Sequence, residues 1–391
     1  MIRASLHFFI LLSLIPNLVS AEEKKLNFDF YGFLKSSYIT ASQKIESFGA
    51  NGIGGITQAA IVDESNSATR KADTTRRFGF QAQQSRFGFK LKHGETLSGK
   101  IELDFVDLGA IAPSPDYDVR IRLIMIDWKM SEHLLFQGGQ KWVTAVGLFP
   151  HTYNYIQANF RSGNTGFISQ EMSLKYSRQL WDLTGAISSR GRNQANTGST
   201  ENERGILPAF TLRLNFKHKK GIIGTSFVGA NLDGESDPSN ITNTYQDGNA
   251  YIAKAYGSYK NSFFDLRAEY FIGQNTGDLF MLATEGAVFA PSSGTNIHVS
   301  GGFLSSKFNI FSKSSIYVGY GMVNTNDGEK YVAANTMIAN NVITLGLDRK
   351  TDNGLITFVE FQNFDTEYHT GNQVKKKYDA YTIEAGLVYK F

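Results

Sequence analysis

Bases recur in this sequence with apolar residues on either side. Arg120 and Arg122 flank Ile121, with Val119, Leu123 and Met125 continuing the apolar series. Lys175 lies between Leu174 and Tyr176, Arg213 between Leu212 and Leu214, and Arg267 between Leu266 and Ala268. Arg86 and Lys90 keep the same phase around Phe87 and Phe89. In an extended chain such spacing sends the bases to one face and the apolar residues to the other. A face of this kind does electrostatic work: guanidinium and ammonium groups attract anions and donate hydrogen bonds to carboxylate or phosphate oxygens. The carboxylates Glu102, Asp104, Asp265 and Glu269 fall in the same phase on nearby segments, so each base could instead be one half of a cross-strand ion pair. Pairing stays open for each base; the group as a whole is expected to form a basic wall.

A second feature faces that wall. The segment from Val146 to Phe167 contains no carboxylate; His151 and Arg161 are its basic members, and Asn154, Gln157, Asn159 and Asn164 add polar groups. If it enters a water-filled space lined by arginine, a preference for anions results. It could also stay outside, or seal a contact between copies through Tyr153, Tyr155 and Phe160.

Other chemistry is poorly supported. The chain has 7 His, of which His93 and His133 fall in short turns, and His151, His298 and His369 at or near the external side. No Ser-His or Asp-His constellation, metal-ligand spacing or phosphate-binding glycine motif stands out, so neither an enzyme nor a cofactor nor a metal site is expected. The 39 Lys and Arg against 36 Asp and Glu exclude the strong basic footprint of a nucleic-acid binder. A surface adhesin or structural barrel protein is the alternative of a different class, with the loop Ser42–Thr74 as its presenting surface.

These residues need elements that hold them in phase. The first twenty-one residues are an address: Arg3 is basic, Leu6 to Leu14 is mostly apolar, and Val19-Ser20-Ala21 offers a cleavage point. The apolar run falls short of the roughly 20 residues that span a bilayer. From Leu26 onward the chain alternates with period two in segments of about ten residues, the pattern of a membrane barrel. Phe210, Leu212, Leu214 and Phe216 alternate with Thr211, Arg213, Asn215 and Lys217, and Tyr381, Ile383, Ala385, Leu387, Tyr389 and Phe391 share one face at the end of the chain. The 30 Phe and 18 Tyr supply strand formers and interfacial aromatics, and the absence of Cys is consistent with a closed sheet that needs no disulfide. Short turns at residues 93–95, 131–133, 219–221 and 352–354 alternate with long polar loops. Short periplasmic turns and long external loops are what an outer-membrane barrel has. The expected fold is therefore all-β: one domain over residues 22–391, a transmembrane antiparallel barrel of about sixteen strands. Its apolar outer face suits outer-membrane lipid and lipopolysaccharide.

Tyr31-Gly32-Phe33, Gln84-Ser85-Arg86-Phe87-Gly88-Phe89-Lys90, Gly99-Lys100-Ile101-Glu102-Leu103-Asp104-Phe105, Arg120-Ile121-Arg122 and Gly139-Gln140-Lys141-Trp142 succeed one another over residues 30–176. In order and spacing this stretch resembles the DcaP-like family of trimeric outer-membrane porins. The resemblance implies a homotrimer of sixteen-stranded barrels, each with its own pore narrowed by infolded loops and lined by charge, passing small and often anionic solutes; whether such a pore is general or has a saturable site stays open from the sequence. The terminal Phe391 is similar to the last residue of outer-membrane strands read by the barrel-assembly machinery. Some members of the family carry a coiled-coil extension, whereas only Glu22 to Lys25 separate the cleavage point from the first strand here, so a trimer would form through barrel walls alone.

Overall fold

The computed structural model describes residues 26–43, 45–47, 56–59, 76–105, 119–154, 159–166, 168–189, 208–232, 248–279, 295–326, 336–369 and 375–391. The leader expected over residues 1–21, Gln157 and most of the long external loops lie outside the described residues.

The chain opens with β1 (Leu26–Ala41), then a small two-stranded sheet of β2 (Ile45–Ser47) and β3 (Ile56–Ala59) within the Ser42–Thr74 segment. β4 (Arg77–Gln81) and β5 (Arg86–His93) are two pieces of one barrel strand, because both pair antiparallel with β1. Next come β6 (Leu97–Asp104), β7 (Arg120–Lys129), β8 (Leu134–Trp142), β9 (Ile168–Ser177), β10 (Trp181–Ser188), β11 (Ala209–His218) and β12 (Gly221–Leu232). The rest are β13 (Gly248–Lys260), β14 (Phe264–Gln274), β15 (His298–Phe311), β16 (Ser314–Asn326), β17 (Thr336–Lys350), β18 (Leu355–His369) and β19 (Lys375–Lys390). From β5 onward each strand pairs antiparallel with the next, and β1 closes the ring on β19 from Phe33↔Lys390 to Ala41↔Thr382. Counting β4 and β5 as one, the barrel has sixteen strands, as the alternation predicts. A closed ring leaves no sheet edge, the condition for crossing a bilayer with strands. Every second connection, from the one joining β5 to β6 onward, is only two to four residues long.

The seam depends on one glycine. Gly32 and Phe391 exchange backbone hydrogen bonds of 3.1 and 3.2 Å, and the Phe391 ring stacks on Phe30 at 5.2 Å. A Cβ at Gly32 would lie 2.3 Å from the Arg86 carbonyl oxygen and 2.8 Å from the Phe391 ring, so any side chain there would push the strands apart.

Burial is inverted relative to a soluble protein. Phe210, Leu212 and Phe216 are exposed outward, as are Leu266, Tyr270 and Ile272, while Lys35, Glu269, Lys254, Glu360 and Glu384 are buried within. A period-two strand has to present one set to each side, and a charge on the outer set would cost about 2–4 kcal/mol at the bilayer midplane. The alternation slips on β7. A bulge between β6 and β7 pairs Leu103 with Ile121 but Glu102 with Leu123, leaving Arg122 as the extra residue. Beyond it the phase reverses. Ile124 and Ile126 take the outer face, and Leu123 is buried, which corrects the reading that put Leu123 and Met125 outside with Ile121.

Candidate functional site

The loop after β8 folds into the interior. It leaves the wall at Thr144, whose backbone N–H and hydroxyl donate to Glu171 on β9 at 2.8 and 2.5 Å. Arg213 on β11 donates to the carbonyls of Thr144 and Val146 at 3.2 and 3.3 Å, and Ser226 on β12 to that of Ala145 at 3.0 Å. The Leu148 N–H reaches Glu269 on β14 at 3.1 Å, and Arg267 on the same strand donates to the Phe149 carbonyl at 3.0 Å. The loop then crosses the lumen. His151 N–H donates to Ser305 on β15 at 2.9 Å. Glu360 on β18 accepts from Tyr153 N–H at 2.6 Å, Asn154 N–H at 3.1 Å and the Thr152 hydroxyl at 2.7 Å.

On the return, Asn340 of β17 donates to the Arg161 carbonyl at 2.8 Å, and Lys254 of β13 to that of Thr165 at 2.5 Å. The turn at Gly163 has φ of 101°, which favours glycine, and a Cβ there would meet the Gly302 carbonyl at 2.2 Å and the Gly321 Cα at 2.8 Å. The glycines of β15 and β16 therefore let the loop tip lie against bare backbone.

The sequence reading puts His151 at or near the external side. The loop instead carries it down to Asp265, beside the short turn before β14, with Nε2 at 3.1 Å from the Asp265 carbonyl and 3.4 Å from its carboxylate. A loop fixed at one end of a barrel but pinned along the inner wall reaches far from its points of attachment.

Between β5, β7 and β8 on one side and this loop with β14–β17 on the other lies a cavity of about 310 Å³. Arg86, Arg122, Arg267 and Lys307 line it together with His151, and Asp348 is the one carboxylate among its described lining residues. Trp142, Phe149, Tyr153 and Tyr317 supply rings. Arg122 lies with its guanidinium 5.0 Å from the Trp142 ring centroid and pairs with Glu102, while its Nε is 3.6 Å from Asp104. Arg86 lies 5.2 Å from the Phe33 ring centroid. Arg267 holds both oxygens of Asp265 at 3.1 and 3.0 Å. Desolvation, reinforced by the nearby Asp348 carboxylate, pushes the Tyr153 phenol above its ordinary range, so it stays a neutral donor to Asp348 at 3.3 Å.

The expected residues thus separate. Arg86, Arg122, Arg267 and His151 meet at one cavity. Glu102 and Asp104 stand behind Arg122 as partners, and Arg120 is held bidentate by Asp104 at 2.8 and 2.6 Å without lining the cavity. Lys90 lies 4.9 Å from the Tyr31 ring centroid, Lys175 is 3.7 Å from Asp182, and Arg213 is spent on loop carbonyls. Asn154 is buried against Gln362 at 3.2 Å, and Arg161 takes a positive φ of 61° in the return turn.

Lys307, Asp348, Glu360 and Lys35 do not stand out in the sequence. Lys307 sits between Ser306 and Phe308 in a Gly- and Ser-rich strand with little apolar alternation to announce it. Its signal was the phase of Ser305 and Phe303, both buried on the inner face. Among the described residues no cluster of three or more His, Cys, Asp or Glu could hold a metal ion.

No family model matches the chain, and no curated protein sequence matches it. Its structure is similar to the outer membrane channel DcaP of Acinetobacter baumannii, with a TM-score of 0.72 and 16% identity over 95% of this chain and 99% of that one. It is similar to the anion-selective porin from Comamonas acidovorans (TM-score 0.58, 10% identity, 94% and 100% covered). It is also similar to the outer membrane protein OmpT of Vibrio cholerae in its trimer form (TM-score 0.54, 14% identity, 94% and 99% covered). At these identities the likeness is one of fold. The chain has the barrel fold of bacterial outer-membrane porins, and the DcaP-like resemblance of its first half holds at that level along nearly the whole chain.

Proposed function

We propose that this chain is a passive channel of the bacterial outer membrane that admits small polar, chiefly anionic, solutes. One observation carries the reading: a loop pinned inside the barrel narrows the lumen to a cavity where four cationic side chains face a single carboxylate among the described lining. Fixed charge in a narrow, low-dielectric passage raises the local concentration of the opposite ion. The porin fold shared with DcaP and with an anion-selective porin supports it. A saturable site within the same channel is the second reading, favoured by the rings of Trp142, Tyr153 and Tyr317 around the cavity.

The rest of the assignment depends on this reading. The leader over residues 1–21 directs export and is removed, Phe391 closes the seam and serves the barrel-assembly machinery, and three copies associate through lipid-facing walls amid lipopolysaccharide. The OmpT trimer is a neighbour of the same fold. Purified protein in a planar bilayer is the test. Open steps in groups of three support the trimeric channel, and an absence of conductance moves the chain to a closed barrel of structural or adhesive role.

A further inference from the structure

Four cations line the cavity, but they are not equally free to meet a solute. Arg267 is committed three times, to both oxygens of Asp265 and to the Phe149 carbonyl. Arg122 is 6% exposed, bound to Glu102 and laid over Trp142. The Arg86 side chain lies along Phe33, and its Nε is buried. Lys307 differs. Its side chain is 26% exposed, its ion-pair partner among the described residues is Asp348, and its ammonium rests 6.0 Å from the Tyr317 ring centroid. A lysine carries its charge on a flexible four-carbon stem, whereas the forks of Arg122 and Arg267 are fixed by their hydrogen bonds and that of Arg86 by burial.

Asp348 is built to release it. Its Oδ2 accepts from Lys307 and also from the Tyr153 hydroxyl, which belongs to the loop. A buried carboxylate stripped of every donor would be costly, but this one keeps the phenol when the ammonium leaves. Burial also keeps that phenol protonated. We propose that Lys307 is the exchangeable cation of the channel: it swings from Asp348 to each passing small anion and back, while Tyr153 holds Asp348 in the interval. Asp348 is thereby the gain control of selectivity, setting how much of the Lys307 charge a solute feels. This inference rests on the channel reading.

The experiment compares the full chain with Lys307→Gln, Asp348→Asn and Lys307→Arg in planar bilayers, reading the chloride-over-potassium permeability ratio across a KCl gradient. Lys307→Gln should lower the ratio by about twofold or more and Asp348→Asn should raise it by a similar factor, as fixed charge in a narrow pore demands. Lys307→Arg, which keeps the charge, should stay near wild type. Opposite directions are the signature, because a merely structural ion pair has no reason to answer differently to the loss of either end. If Lys307→Gln yields no folded barrel, Asp348→Asn decides alone: a rise supports the assignment, and no change or a fall overturns it. An anion-preferring wild type with unmoved variants overturns this inference and leaves the channel reading standing. A wild type without conductance overturns both.

Discussion

The wall built from β5, β6 and β7 keeps its carboxylates behind its bases, whereas the wall from β14 to β19 turns its carboxylates toward the loop. On the first, Glu102 and Asp104 grip Arg122 and Arg120, and Arg86 and Arg122 face the cavity. On the second, Glu269 and Glu360 accept loop backbone N–H groups, and Lys35, bonded to the Tyr153 carbonyl, holds Glu384 at 2.6 Å. The residue types are the same; the use differs with what covers them. A loop crossing a lumen exposes backbone donors that need acceptors, and here carboxylates of the wall provide them. That is a second physical reason for the absence of acids in Val146–Phe167: an acid on the loop would meet Glu171, Glu269 or Glu360.

Breaking the first wall should have the largest effect. Arg86→Ala with Arg122→Ala uncovers Glu102 beside the cavity, while Asp104 keeps Arg120, and should turn anion preference into cation preference, read as a change of sign in the reversal potential. Because Arg122 pairs with a buried Glu102, the variant should also lose about 3–5 kcal/mol of stability, seen in thermal unfolding. Glu360→Ala comes next. It strips the acceptor from Tyr153, Asn154, Thr152 and Tyr317. Each buried donor left without a partner costs about 1–3 kcal/mol, so the loop should loosen and the open current grow noisier while the barrel persists. Gly321→Ala places a Cβ 1.9 Å from the Ser162 carbonyl oxygen. The loop tip must shift, at about 1–3 kcal/mol, and single-channel conductance should change without a change in the sign of selectivity. Arg120→Ala should do least. Its partner Asp104 keeps Arg122 at 3.6 Å, and Arg120 is half-buried away from the cavity, so selectivity should move far less than with Arg122→Ala. A shift from Arg120→Ala as large as from Arg122→Ala would erase the distinction drawn between them.

The barrel was legible because a lipid face permits no charge, so alternation in β11, β14 and β19 had to be kept. The sixteen strands and the closing role of Phe391 stem from that rhythm and from the loop spacing. The phase of β7 was not legible, because a bulge adds one residue without leaving a mark on Arg120-Ile121-Arg122-Leu123. Part of the cavity could be read in advance: Arg122 and Arg267 stand out between apolar neighbours, and Arg86 keeps phase with Phe87 and Phe89 on the opposite face. Lys307 and Asp348 do not stand out, since Gly and Ser precede Lys307 on its strand and its role depends on a loop arriving from more than a hundred residues away. Glu360 reads as an ordinary lumen acid until Tyr153 and Asn154 are seen to donate to it. Long-range packing carries no local periodicity.

A basic constriction that favours anions fixes the sign of the reversal potential of the wild-type protein across a KCl gradient in a planar bilayer. The potential should have the sign set by chloride permeating faster than potassium. A potential of the opposite sign would contradict it, and would mean that Glu102, Asp104 and Asp348 outweigh the bases that line the cavity.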